Sequence, residues 1–330
     1  MASSPSSMPI PGKPLPGDFT GSDLAKTPDD YILELDARVR AELGALLDAF
    51  ERGDDNREND VHAVLADATA RAMSSLTSGR GLILIRGIPV QGHSRDTVAR
   101  LYETWGRALG NPQPQNLEGE LLTDIRDTGA DPDDPDVRLY KTRAEQDFHT
   151  DGADVIGLMC LSGAKSGGES RIVSSVRVYR ALRERRPDLA PLLFEPWWFA
   201  IPGARARALP EAMPRPIATF DGAKLETFFI GWYIRNAQLF DSVPKLTDAQ
   251  RELLEVYEGI ANDPSLYLDM HFRPGDVQWL RNAFVLHKRT AYEDFPEPER
   301  KRHLLRLWLS APGIDDSMPH FSVHGGGAPV

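Results

Sequence analysis

The segment Asp147-Phe-His-Thr-Asp-Gly152 puts an imidazole, His149, two residues before a carboxylate, Asp151. On a β-strand, side chains at i and i+2 leave the same face, with Cα atoms about 6.6 Å apart at ~3.3 Å per residue. Both groups can then converge on one cation. Two histidines and one carboxylate on one face of an octahedron are the ligand set of non-haem iron(II) oxygenases, and they leave three adjacent positions open. A structural zinc site with four protein ligands leaves no such room. Alone, His-x-Asp is a weak signal, because such pairs also arise at surfaces and caps. A third ligand must come from elsewhere. His287, at the end of Trp279-Leu-Arg-Asn-Ala-Phe-Val-Leu-His287, is the leading choice, with His271 as the alternative.

Two arginines strengthen the signal. In Arg302-His-Leu-Leu-Arg-Leu-Trp308, alternate residues share a face, so Arg302 and Arg306 point the same way, about 13 Å apart on an extended strand. Cations facing inward on an apolar strand are costly unless anions meet them. Arginine takes carboxylates in a bidentate fork. One arginine suits the far carboxylate of a 2-oxo dicarboxylic acid and the other an anionic group of a substrate. The plainer alternative pairs both with acidic side chains on the outer face. His303 points opposite Arg302 and is not expected to be a ligand.

The elements that must position these groups are legible in outline. Ile32, Leu33, Leu35, Val39, Leu43, Leu46, Leu47 and Phe50 recur near a 3.6-residue period, predicting a helix, and a second helix follows over about 61–76. Gly81-Leu-Ile-Leu-Ile-Arg-Gly87 reads as a buried strand between glycines. Ser94 is a plausible N-cap for a helix reaching about Leu109. From about Leu121 strands dominate: 155–161, 171–173, 227–234, 266–272 and 304–309. Helices are expected over about 175–186 and from Thr247, whose partner Gln250 completes a capping box. Helices first and then turn-punctuated strands indicate α+β, with an antiparallel barrel or sandwich.

Composition narrows the class. The 330 residues carry a net charge of −11, which argues against nucleic acid or an anionic membrane as partner. No apolar run is long enough to span a membrane. The Ser/Pro-rich start has no apolar core of a secretory signal and is read as a disordered lead over 1–18. The tail 311–330 is read as loop, with His320 and His324 solvated. The acidic run Asp131-Pro-Asp-Asp-Pro-Asp136 is read as a solvated loop rather than a metal site. The lone cysteine, Cys160, sits among apolar residues as a packing thiol and fits a reducing, cytoplasmic compartment. Trp197-Trp198-Phe199, and likewise Trp232 and Tyr233, are read as packing ahead of lining a substrate mouth.

Taken together, the Gly81–Gly87 strand, Phe148-His-Thr-Asp151, Gly167-Gly-Glu-Ser170, Pro274-Gly-Asp276, Asn282 through His287 and Arg302-His-Leu-Leu-Arg306 resemble the TauD/TfdA branch of Fe(II)/2-oxoglutarate dioxygenases, with clavaminate synthase-like enzymes as cousins. The resemblance implies a double-stranded β-helix (jelly-roll) core flanked by helices, one domain over 19–310. It implies iron on His149, Asp151 and His287, with 2-oxoglutarate and O2 as cosubstrates. It implies Arg302 on the distal carboxylate of 2-oxoglutarate. Ser170, where the family has threonine, keeps a hydroxyl for the same carboxylate. Arg306 falls where the family meets a substrate's acidic group, without being excluded from the 2-oxoglutarate site. Asn116 lies in the loop that often builds the substrate site. Related halogenases have Gly or Ala at the Asp151 position, so halogenation is not expected. The expected reaction is oxidation, by default hydroxylation, of a small anionic or amino-acid-like molecule. The competing readings are a jelly-roll metalloenzyme that does not use 2-oxoglutarate, such as a zinc hydrolase, and an inactive jelly-roll binding protein. Neither the substrate nor the oligomeric state is legible.

Overall fold

The computed structural model describes residues 12–314, except 117, 132–137, 202, 205–208 and 312. The acidic run beyond Asp131, His320 and His324 therefore lie outside the described residues. Among the described residues eleven strands form two sheets: β1 (Ile32–Glu34), β2 (Leu82–Arg86), β3 (Asn111–Pro112), β4 (Leu122–Ile125), β5 (Gln146–His149), β6 (Val155–Ser162), β7 (Ser170–Ser174), β8 (Leu268–Met270), β9 (Val277–Arg281), β10 (Val285–Arg289) and β11 (His303–Ser310). The larger sheet runs β1-β2-β9-β6-β11-β3, with β4 also paired to β11, and the smaller runs β8-β7-β10-β5. Only β1 with β2 is parallel within these sheets.

Three apolar layers follow from the alternation of each strand. On β11, Leu305, Leu307 and Leu309 face outward to helices Ala37–Glu51, Glu58–Val64, Ala66–Ser78 and Arg95–Leu109. On the smaller sheet, Val173 and Leu286 face outward to helices Ser175–Arg185 and Asp248–Ala261. Between the sheets, Leu82, Leu84 and Leu280 meet Ile172, Leu268, Met270 and Val285. The arrangement is the expected α+β jelly roll with helices on both outer faces. Trp197 and Phe199 belong to the core of the second outer layer, as the packing reading anticipated.

Several boundaries differ from the sequence reading. Ile32–Glu34 is a strand paired to Leu84–Arg86, and the helix starts only at Ala37, because Asp36 caps it by accepting from Val39 N–H at 2.8 Å. The apolar spacing runs unbroken across that junction and hides it. The segment 227–234 divides into the end of a strand (Leu225–Thr227) and a helix (Gly231–Ala237). Residues 12–18, read as part of a disordered lead, lie against the body: Gly17 N–H donates to Gly79 C=O at 3.1 Å, and Asp18 pairs with Arg177 and Arg180. The helix Arg95–Leu109 with its Ser94 cap and the Thr247–Gln250 capping box form as read. Among the described residues no helix is long and apolar enough to cross a membrane.

Candidate metal centre and anion subsites

His287 sits in the middle of β10, and its register partner on the adjacent antiparallel strand β5 is His149. Directly opposed residues bring their side chains together, and here the two imidazole rings lie 4.3 Å apart, centroid to centroid. Asp151 completes the cluster. Its Oδ2 lies 3.5 Å from His287 Nε2, and its Oδ1 lies 3.8 Å from His149 Nε2. One donor atom from each residue falls within 4.8 Å of the others.

The structure corrects how Asp151 gets there. The strand ends at His149, so Asp151 is not carried by the pleat. Thr150 N–H instead bonds Phe229 C=O at 2.8 Å, and Asp151 N–H is taken by Asn282 Oδ1 at 2.7 Å. The carboxylate is then aimed by Trp308, whose Nε1–H donates to Oδ2 at 3.0 Å. The alternative ligand, His271, stands apart: it is largely exposed, with Glu169 3.7 Å from its Nδ1. His303 points outward to Asp124, as the alternation required.

The electrostatics suit a divalent cation. Burial, with His287 alongside, pushes His149 down to about 3, so its imidazole is neutral at ordinary pH. His149 Nδ1 is 2.7 Å from Asp147 C=O, a bond that places the ring proton on Nδ1 and leaves the Nε2 lone pair facing inward. Gln146 Nε2 approaches that Nε2 at 3.3 Å. Burial raises the Asp151 carboxyl, but the Arg306 guanidinium and both histidines outweigh it and hold it well below the usual carboxylate range. Two imidazoles and one carboxylate, converging in a buried space, fit iron(II) by donor type and number.

Arg302 and Arg306 both point between the sheets, as read. Arg306 is 6% exposed; its Nε donates to Gln115 Oε1 at 2.7 Å, and its Nη1 is 3.5 Å from Asp151 Oδ2. Its Nη2 is buried without a hydrogen-bond partner among the described residues. Arg302 is 4% exposed, gives its Nη2 to Gly168 C=O at 3.3 Å, and has a buried, unpartnered Nη1. Gly168 is required there. Its φ of +75° disfavours other residues, and a Cβ would sit 2.9 Å from Arg302 Nε. Ser170 faces inward on β7, its hydroxyl donating to Gln278 Oε1 at 3.1 Å.

Asn116 uses its side chain locally, with Nδ2 on Glu120 Oε2 at 2.6 Å and Oδ1 on Glu120 N–H at 3.1 Å. Its neighbour Gln115 is the inward residue of that loop, clasping Arg306 by side chain and by backbone. Trp232 packs 5.0 Å from the His149 ring. Sequence reasoning gave no role to Asn282, Trp308 or Gln115. For Trp308 a signal existed, since it shares the inward face of Arg306 two residues away.

The sequence profile of the taurine catabolism dioxygenase TauD, TfdA family matches residues 47–308. An FR-33289 synthase of Streptomyces rubellomurinus (strain ATCC 31215) is 30% identical over 249 residues, 73% of this chain and 72% of the relative. An asparagine oxygenase solved with Fe(II), 3-hydroxyasparagine and succinate superposes with a TM-score of 0.66 at 16% identity, covering 85% of this chain and 93% of the other. A non-heme iron oxygenase solved with Fe and alpha-ketoglutaric acid gives 0.61 at 14%, covering 85% and 94%. At these identities the two structural likenesses concern the fold.

Proposed function

Because the chain belongs to the TauD, TfdA family of dioxygenases, we propose that it oxidises a C–H bond of a small anionic or amino-acid-like substrate, using iron(II), 2-oxoglutarate and O2. The default outcome is hydroxylation: substrate, 2-oxoglutarate and O2 give hydroxylated substrate, succinate and CO2. Bound iron(II) and 2-oxoglutarate supply the O2 activation and the oxidising power. The observation that carries this reading is the His149–Asp151–His287 cluster flanked on one strand by two buried guanidiniums with unmet donors. A hydrolytic metal site has no dicarboxylate for them to neutralise.

In this reading His149, Asp151 and His287 hold the metal. Arg302 takes the distal carboxylate of 2-oxoglutarate, with Ser170 as a hydroxyl donor at hand. Arg306 orients the substrate's anionic group, positioned by Gln115 and by the Tyr140 and Trp308 rings 5.3 and 5.0 Å from its guanidinium carbon. Asn116 acts on the substrate side only through its loop. Trp232 and the inter-sheet packing shield the centre from water. The asparagine oxygenase fold likeness and the Arg306 donor both favour an amino-acid-like or otherwise anionic substrate. The lone buried Cys160 supports a cytoplasmic setting, and the acidic net charge supports small molecules rather than nucleic acid as partners.

The test is succinate formation from 2-oxoglutarate in the presence of Fe(II) and O2, screened over amino acids, carboxylates, sulfonates, phosphonates and phosphates. Substrate-stimulated succinate, lost in Asp151→Ala, is the expected result. Metal binding with no succinate under any condition favours a metalloenzyme that does not use 2-oxoglutarate. Failure to bind metal favours an inactive scaffold.

A further inference from the structure

Arg289 is a third inward-facing arginine. It stands two residues past His287 on β10, and its register partner on β7 is Ser170, so the pleat turns it toward the same interior. It is 6% exposed. Its Nη2 donates to the carbonyl oxygens of Leu139, at 3.2 Å, and Ala144. Its Nε and Nη1 are buried without hydrogen-bond partners among the described residues.

The neighbour that matters is Arg302. The guanidinium carbons of Arg289 and Arg302 lie 5.2 and 5.1 Å from the centroid of one ring, Tyr292. The Tyr292 hydroxyl is also buried, beside the Arg302 guanidinium. Neither arginine makes an ion pair among the described residues. Asp294 Oδ1 accepts only the backbone N–H of Arg302 in this region. Three unpartnered guanidinium nitrogens thus lie around one buried ring, on two arginines without a direct ion pair among the described residues. Unpaired buried cations are costly, and an anion of at least two acceptor oxygens would relieve both.

We propose that Arg289 is a second anchor for the distal carboxylate of the 2-oxo dicarboxylic cosubstrate, gripping it opposite Arg302 with Tyr292 as a further donor. This rests on the reading that the chain uses 2-oxoglutarate. Arg302 alone could then hold one edge of the carboxylate, and the Arg289 fork closes the other.

The test compares two ligands on the Fe(II)-loaded protein without O2, by equilibrium titration of the visible absorption. 2-Oxoglutarate has the distal carboxylate; 2-oxobutyrate has the same chelating end and lacks it. Losing a charge-assisted bond from Arg289 should weaken 2-oxoglutarate on the order of 10- to 100-fold in Arg289→Gln, and 2-oxobutyrate less than about 2-fold. Arg289→Lys, which keeps a charge without the fork, should fall between for 2-oxoglutarate and match wild type for 2-oxobutyrate. It is the variant to read if Arg289→Gln loses its fold by circular dichroism. An unchanged 2-oxoglutarate affinity in a folded variant, or equal weakening of both acids, overturns the Arg289 assignment and leaves the cosubstrate reading intact. A wild-type protein that binds 2-oxobutyrate as tightly as 2-oxoglutarate, or binds neither, overturns the cosubstrate reading and the proposal with it.

Discussion

Asn282 grips the backbone of Asp151 at both ends: its Oδ1 accepts Asp151 N–H, and its Nδ2 donates to Asp151 C=O, each at 2.7 Å. Asn282 lies in the tight turn between β9 and β10, five residues before His287, so one turn fixes two of the three clustered residues. Removing the amide in Asn282→Ala should free the Asp151 backbone while leaving His149 and His287 paired. Loss of such supporting bonds typically weakens metal binding by 10- to 100-fold. The expected outcome is a fall in Fe(II) affinity of that order, measured by anaerobic metal titration, with the fold intact by circular dichroism.

Trp308 aims the carboxylate that Asn282 places. Trp308→Phe keeps the ring in the packing with Ala153 and Ile156 but removes the indole N–H on Asp151 Oδ2. A loss of about 1 kcal/mol or more is expected for a bond to a charged group, seen as a fall of ~5- to 10-fold in iron affinity. Melting of the metal-free protein should change little.

Gly168→Ala tests the 2-oxoglutarate side without touching a charge. The added methyl enters a left-handed backbone position and crowds the Arg302 Nε and Cδ atoms. Ala at such a φ costs about 1 kcal/mol or more in stability. The KM for 2-oxoglutarate should rise by roughly tenfold, an effect of ~1.4 kcal/mol, while iron affinity stays near wild type. Equal effects on both would place Gly168 in the general fold rather than at Arg302.

Cys160 should be chemically silent in the folded protein. Burial pushes its thiol up to about 12, so almost no thiolate exists at pH 8. A disulfide reagent such as dithionitrobenzoate should not react in buffer and should react with one equivalent in guanidinium chloride.

The site was more legible in the sequence than the chain path that builds it. His149, Asp151 and His287 stand out by residue type and the fold brings them together, and the alternation Arg302, His303, Arg306 separates inward cations from an outward histidine. Local patterns with a physical endpoint, such as Ser94 before its helix and Thr247 with Gln250, also formed as read. What misled was periodicity without punctuation. The apolar spacing from Ile32 to Phe50 fits one helix, yet Asp36 caps a helix in its middle and releases Ile32–Glu34 to β2. The aromatic run after Thr227 reads as strand, but Gly231–Ala237 folds as a helix that sets Trp232 on His149. Asn282 entered only as part of the Asn282–His287 motif, with no role, and Gln115 gave no signal, because their work is to satisfy backbone and side-chain groups brought near only by the tertiary fold. Arg289 had one, a cation at i+2 from His287, which gains meaning only once Arg302 and Tyr292 stand beside it.

The central claim is that one buried centre holds iron(II) and a 2-oxo dicarboxylic acid together. Its most direct test is the anaerobic visible spectrum of the protein with Fe(II) and 2-oxoglutarate, beside His149→Ala. A chelated 2-oxo acid on iron(II) needs the adjacent open positions of a two-histidine, one-carboxylate site, and the account predicts a weak, broad band near about 500 nm in the wild type that is lost in the variant. Stoichiometric iron binding with no such band in the wild type would contradict it.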